Sequence, residues 1–128
     1  MIAVDTSVWV AALRAAGSLE AAALGALLDA DEVVLPVPVR VEILSGASGR
    51  DRAALRKALS ALPVIYPTDE TWSLIDQWVD RAGAAHQRFG VGDLLIGALA
   101  REAGALVWSL DSDFDRMGRL GLVDLYEP

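Results

Sequence analysis

The sequence predicts an α/β fold, a three-layer α/β/α sandwich around a short-stranded, mainly parallel central sheet. Apolar runs of three to five residues lack the alternation of half-exposed strands, which is typical of strands covered on both faces. These runs recur between longer stretches rich in alanine and leucine, the pattern of helices that cover a parallel sheet. The chain has 128 residues, about the size of one domain. We therefore expect a single domain over residues 1–128.

Five short strands are predicted, each from an apolar run bounded by turn or capping residues. Pro67 closes the third run, and Gly104 precedes the fourth. The predicted strands are residues 1–4 (MIAV), 33–35 (VVL), 64–66 (VIY), 105–109 (ALVWS) and 122–125 (LVDL).

Six helices are predicted between these strands. A hydroxyl or carboxyl side chain precedes most of them, as expected for a helix cap. Pro38 suits the first turn of the third helix. The predicted helices are residues 8–16, 19–30, 39–47, 51–61, about 68–87 and 92–103. Residues 110–121 are predicted as a connection, with a turn at Asp111.

Composition excludes several classes of protein. With no cysteine and one histidine, the chain has no disulfide framework, thiol nucleophile, cysteine-ligated zinc or multi-histidine metal site. No apolar run approaches the roughly 18 residues of a membrane helix, and the N-terminus does not resemble a secretory signal. We therefore expect a soluble, cytoplasmic protein whose chemistry depends on carboxylates and hydroxyls.

Four acidic residues lie where an α/β fold places a functional site. Asp5 follows the first predicted strand and Asp111 the fourth. Ligands bind at the carboxyl ends of strands in such sheets, so the two carboxylates meet if their strands are neighbours. Asp93 opens a helix, and Glu42 interrupts an apolar helical turn. Each acid alone has an ordinary alternative, as a helix cap, a turn residue or a solvent-facing side chain.

Together these carboxylates favour a divalent cation. Clustered carboxylates repel one another unless a cation neutralises them, and oxygen ligands alone suit Mg²⁺ or Mn²⁺. Such sites commonly hydrolyse phosphodiesters. The net charge of −7 does not exclude a nucleic-acid substrate, because a single site formed by five acids would contain much of the acidic excess. Those five acids are Asp5, Glu42, Asp93, Asp111 and Asp113.

Four segments in order resemble one known family. They read VDTSVWVAAL at the start, VRVEILSG after the second strand, then VGDLLIGALA, and VWSLDSDFDRM near the end. Together they resemble the PIN-domain ribonucleases, specifically the VapC toxins of bacterial toxin–antitoxin pairs, over essentially the whole chain. The resemblance implies a PIN fold, Mg²⁺ or Mn²⁺, endoribonuclease activity and inhibition by a cognate VapB antitoxin. It also favours a homodimer joined with antitoxin chains into a larger complex.

By position, the resemblance also implies roles for individual residues. The predicted catalytic acids are Asp5, Glu42, Asp93 and Asp111, and the predicted metal ligands are Asp5, Asp93, Asp111 and Asp113. Ser7, with Thr6 as the alternative, matches the hydroxyl beside the first acid, and Ser109 stands where threonine is more usual. With Arg116, which is near enough in sequence to contact phosphates, these serines are the predicted substrate-binding residues.

Two other functions fit parts of the same pattern. One is a catalytically silent PIN-like scaffold, although such scaffolds usually lose a carboxylate and all four are present here. The other is a Mg²⁺-binding regulatory module of the receiver type. The only lysine, Lys57, lies in the wrong region for that class, and no aspartate directly follows the third strand. Metal-dependent cleavage of RNA by the purified protein distinguishes the enzyme from both.

Overall fold

A computed structural model describes all 128 residues and contains four strands and seven helices. The strands are β1 (Ile2–Val4), β2 (Val33–Pro36), β3 (Val64–Ile65) and β4 (Leu106–Trp108). The helices are α1 (Thr6–Arg14), α2 (Leu19–Asp29), α3 (Val37–Gly46), α4 (Gly49–Leu59), α5 (Asp69–Ala84), α6 (Val91–Glu102) and α7 (Ser112–Arg119).

The four strands form one parallel sheet in the order β3-β2-β1-β4. The chain moves from β1 through β2 to β3, and then returns to place β4 on the other side of β1. Because such crossovers are right-handed, this reversal puts the helices of the last connection on the opposite face of the sheet from the earlier helices. The predicted three-layer α/β/α sandwich with a parallel sheet is confirmed.

The core forms where helices from both faces meet the sheet. Every residue of β1 and β2 is buried, which explains why these strands show no polar alternation. In α6, Gly97 allows close packing, because a Cβ atom there would lie 2.6 Å from the Met117 side chain and 3.2 Å from that of Trp78. Helix α6 thus sits tightly against α5 and α7, which holds its first turn beside the end of β4.

Two predictions for the C-terminal quarter are wrong. Residues 112–119 form helix α7 rather than a connection, with Asp111 as its N-cap and two buried side chains, Phe114 and Met117, on one face. Residues 122–125 do not form a strand, since only Leu125 makes a bridge, to Val107. The Arg101 side chain donates to the carbonyl groups of Gly121 and Leu122, at the turn that precedes Leu125.

No single helix is long and apolar enough to span a membrane; only α1 and α2 together pass that test, as a pair bent by 112°.

Candidate active site

The candidate site lies at the carboxyl ends of β1 and β4. These strands are hydrogen-bonded neighbours, and beyond the last paired residues the Asp5 N–H donates to the Trp108 carbonyl at 2.8 Å. The site therefore lies at the topological switch point, where successive strands begin to be added on the other side of β1. The two strands that flank it are about 100 residues apart in sequence. The sequence analysis expected Asp5 and Asp111 to meet if their strands were neighbours, and β1 and β4 are neighbours.

Three carboxylates converge at this edge. One oxygen from each of Asp93, Asp111 and Asp113 lies within 4.8 Å of the others. Asp93 lies in the first turn of α6, while Asp111 and Asp113 lie at the start of α7. The Asp111 carboxylate also caps α7, because its Oδ1 accepts the Asp113 N–H at 2.9 Å. Asp111 therefore both caps α7 and belongs to the group of three carboxylates.

The charged form of Asp93 is disfavoured in this group. The pKa of Asp93 is raised to about 7, first by burial and then by the hydrogen bond with Asp113 and the charges of Asp111, Asp113 and Asp5. The pKa of Asp113 is lowered, because it accepts a hydrogen bond from Arg116 and another from Asp93. The protonated form is therefore favoured at Asp93 and the charged form at Asp113.

Asp5 is buried beside the group, and two serine hydroxyls hold it in place. Its Oδ2 accepts hydrogen bonds from Ser7 Oγ at 2.7 Å and from Ser109 Oγ at 2.8 Å. Each serine oxygen in turn accepts a backbone N–H from the loop after β4, Ser7 from Leu110 and Ser109 from Asp111, both at 3.0 Å. The two serines therefore fasten the loop that carries Asp111 to the end of β1.

Both serine hydroxyls are fully engaged in this arrangement, as donors to Asp5 and as acceptors from the backbone. Their predicted contact with substrate stays a prediction. Asp5 Oδ1 accepts no hydrogen bond from the protein, so it is the oxygen of Asp5 that remains available to a ligand.

Glu42 lies near Asp5 but outside the three-carboxylate group. Burial raises the pKa of Glu42 above its ordinary value, the charge of Asp5 raises it further, and the Thr6 hydroxyl partly offsets both effects. Glu42 is thus the acid of the site that is electrostatically linked to Asp5 rather than to Asp111 and Asp113.

Arg116 contacts Asp113 and also two residues, Gln87 and Phe89, that the sequence did not indicate. Its guanidinium donates to Asp113 Oδ1 at 2.6 Å and to Gln87 Oε1, and it lies 4.6 Å from the centre of the Phe89 ring. Gln87 and Phe89 belong to the connection between α5 and α6, where no sequence pattern marks a function. The neighbouring His86 is exposed and makes no side-chain hydrogen bond.

Comparison with known proteins shows extensive similarity. A family model described as "PIN domain" matches residues 2–120. The chain is 34% identical over 125 residues to Ribonuclease VapC11 of Mycobacterium tuberculosis, which covers 94% of this chain and 93% of that protein.

Two solved structures have the same fold. VapBC2 from Rickettsia felis, bound to a DNA fragment from its promoter, superposes with a TM-score of 0.77 at 18% identity, over 98% of each chain. VapC20 of Mycobacterium tuberculosis, a toxin that cleaves the sarcin-ricin loop, superposes with a TM-score of 0.72 at 22% identity, over 100% of each chain. At these identities the superpositions establish the fold alone.

Proposed function

The chain belongs to the PIN-domain family and, within it, to the VapC ribonucleases, and on that premise we propose that it is a divalent-cation-dependent endoribonuclease and the toxin of a toxin–antitoxin pair. The observation that carries the cation dependence is the convergence of Asp93, Asp111 and Asp113 within 4.8 Å at the switch point of the sheet. Three carboxylates this close are stable in their charged forms only beside a compensating positive charge.

The donor atoms fit Mg²⁺ or Mn²⁺. Every candidate ligand is a carboxylate oxygen, the chain has no cysteine, and the only histidine lies outside the group. Hard cations of this kind prefer oxygen ligands. We propose Asp93, Asp111 and Asp113 as ligands together with Asp5, whose Oδ1 is not hydrogen-bonded.

The chemistry follows from the charges in the site. A bound divalent cation activates water for attack and stabilises the negative charge that develops on the scissile phosphate. Asp5, held by Ser7 and Ser109, keeps the ends of β1 and β4 at a constant separation. Glu42 lies outside the three-carboxylate group, and its raised pKa suits a carboxylate that accepts a proton from the attacking water.

We propose partners of two kinds besides RNA. Large apolar side chains are exposed on several helices, which is typical of surfaces that become covered. They include Leu13, Leu19, Val41, Trp72 and Val79. A homodimer and a complex with a VapB-like antitoxin would cover such surfaces. An antitoxin arginine or lysine placed at the acid group would neutralise it and exclude the cation, and a toxin acting on cellular RNA would work in the cytoplasm.

Cleavage of RNA by the purified, antitoxin-free protein tests the catalytic proposal. Cleavage should require Mg²⁺ or Mn²⁺ and stop in EDTA. Asp93→Asn, which removes one charge with almost no change in volume, should lower the rate at least about 100-fold while the protein stays folded. Asp76→Asn, the same substitution on the exposed face of α5, should cleave normally.

The competing functions predict different results. A silent scaffold or a Mg²⁺-binding regulatory module would leave RNA intact under all of these conditions, even if it bound the cation. Light scattering at high micromolar concentration tests the homodimer, and a strictly monomeric species would contradict it.

A further inference from the structure

Arg116 contacts three residues, one of which, Asp113, belongs to the acid group. One terminal nitrogen donates to Asp113 Oδ1 at 2.6 Å, and the other donates to Gln87 Oε1. The guanidinium carbon lies 4.6 Å from the centre of the Phe89 ring, within the range of a cation–π contact. Its side chain is 29% exposed, so the positive charge is partly shielded from water.

The Arg116–Asp113 contact is the one ion pair made by any acid of the site. The only other ion pair in the protein joins Arg101 to Asp124, away from this edge. Four other acids, Asp5, Glu42, Asp93 and Asp111, have no lysine or arginine within ion-pair distance. Arg116 is therefore the single positive charge that the chain itself supplies to a group of mutually repelling carboxylates.

An ordinary surface ion pair contributes little, because two long side chains must lose their freedom to form it. Arg116 differs in that Gln87 and Phe89 already restrict the guanidinium, so less additional ordering is needed to pair with Asp113. Two of the five guanidinium N–H groups form these hydrogen bonds, and together with the Phe89 contact they fix the orientation of the side chain. The geometry suits a fixed counter-charge better than a mobile phosphate contact.

We propose that Arg116 is a positioning residue that acts as the built-in counter-cation of the acid group, orienting Asp113 before the divalent cation binds and competing with that cation for the same carboxylate. This inference rests on the proposed function, since it concerns the same cation site. It implies two opposed effects. Arg116 stabilises the cation-free protein, and it weakens the affinity of the site for Mg²⁺ or Mn²⁺.

The test compares Mn²⁺ and Mg²⁺ binding, measured by calorimetry, with thermal unfolding in EDTA and at increasing cation concentration. Arg116→Met should bind the cation about tenfold more tightly than the wild type, because a positive charge a few ångströms from the site is removed. In EDTA the same variant should melt about 4 °C lower. The difference in melting temperature between the variant and the wild type should become smaller as the cation is added, because the cation then supplies the missing positive charge.

Two further variants separate charge from packing. Arg116→Lys keeps the charge but loses the simultaneous contacts with Gln87 and Asp113, so its cation affinity should stay within about threefold of the wild type. Arg119→Met removes a positive charge from the same helix at a side chain that makes no hydrogen bond or ion pair, and it should change neither the cation affinity nor the melting temperature in EDTA. If Arg116→Met does not fold, Arg116→Gln replaces it in the same measurements of cation affinity and thermal unfolding.

A merely structural arginine gives a different result. Arg116→Met would then melt lower by the same amount with and without the cation, and would bind the cation no more tightly than the wild type; either result overturns the proposal. If the proposed function itself is wrong, the experiments give a third result. The wild type would bind no cation and cleave no RNA, while a double-mutant cycle between Arg116 and Asp113 in EDTA would still show their coupling.

Discussion

Asp93 is the residue at which burial and charge repulsion combine most strongly. It is half-buried in the first turn of α6, and its pKa is raised to about 7 by burial first and then by its acidic neighbours. Its charged form therefore opposes folding unless a cation is present. This single residue relates the stability of the protein to its proposed activity.

Asp93→Asn should stabilise the cation-free protein at pH 8. The pKa of Asp93 is near 3.8 when unfolded and about 7 when folded, so the folded state binds the proton more tightly. Stability from this group therefore falls as the pH rises from about 4 to about 7, and asparagine removes that loss. Because solvent screens a half-buried carboxyl, we expect a gain of about 1–2 kcal/mol rather than the full value of the shift.

Urea denaturation in EDTA at pH 5.5 and pH 8 measures this effect. The variant and the wild type should differ less at the lower pH, where Asp93 is largely protonated. Asp76→Asn should have the same stability as the wild type at both pH values. An Asp93→Asn protein that is less stable than the wild type at pH 8 would contradict the repulsion argument.

Ser109→Ala should destabilise the protein by about 2 kcal/mol, because it removes a hydrogen bond to the buried Asp5 carboxylate and an acceptor for the Asp111 N–H. Chemical denaturation measures the loss. Ser73→Ala, at an exposed serine on α5 without side-chain hydrogen bonds, should change stability by less than about 0.5 kcal/mol. Equal effects of the two substitutions would show that Ser109 does not fasten Asp5.

Arg52, in the second turn of α4, connects this helix to α3. Arg52 Nε donates to the Leu44 carbonyl at 3.1 Å, and a terminal nitrogen donates to the Ala47 carbonyl at 3.0 Å. These carbonyls lie at the C-terminal end of α3, where backbone acceptors lack helical partners. Arg52 thus connects α4 to the helix that carries Glu42.

Arg52→Ala should therefore lower the free energy of unfolding by about 1–2 kcal/mol, because two backbone acceptors lose a charged donor. Arg56→Ala, on the same helix with an exposed side chain that makes no hydrogen bond, is the matched control. We expect a change below about 0.5 kcal/mol for that control in guanidinium denaturation. Comparable losses in both variants would assign the effect to helix propensity instead.

Helix α7 illustrates why short polar elements escape detection. Residues 112–119 contain two aspartates and a glycine, which is typical of a turn. The sequence features that indicate a helix here are a capping residue, Asp111, and two apolar residues on one face, Phe114 and Met117, three positions apart. Eight residues carry too few apolar positions for periodicity alone to establish a helix.

For the whole molecule, cation binding and folding should be linked. If the folded state alone binds Mg²⁺, stability should rise by about 2.7 kcal/mol at 100 times the dissociation constant. Thermal unfolding at a series of Mg²⁺ concentrations measures the slope, which should be mostly lost in Asp93→Asn. An equal Mg²⁺ response in that variant would show that the cation binds elsewhere.

The predicted fold class and the positions of the acids came from local features of the sequence. Runs such as VVL and MIAV carry no polar residue because both faces of their strands are buried, and this pattern is visible without knowing any contact. Asp5 directly follows one apolar run and Asp111 lies just beyond another, so the sequence also predicted their position at strand ends. Family motifs supported the same assignment.

Tertiary structure alone decided which of these acids meet and what holds them. Asp93, Asp111 and Asp113 converge, while Glu42 lies beside Asp5, because β4 pairs with β1 and α6 packs beneath both. The bond between Ser109 and Asp5 spans 104 residues, and that between Arg116 and Gln87 spans 29. No local pattern encodes such pairs, since each depends on strand order and helix packing, which form only when the whole chain is folded.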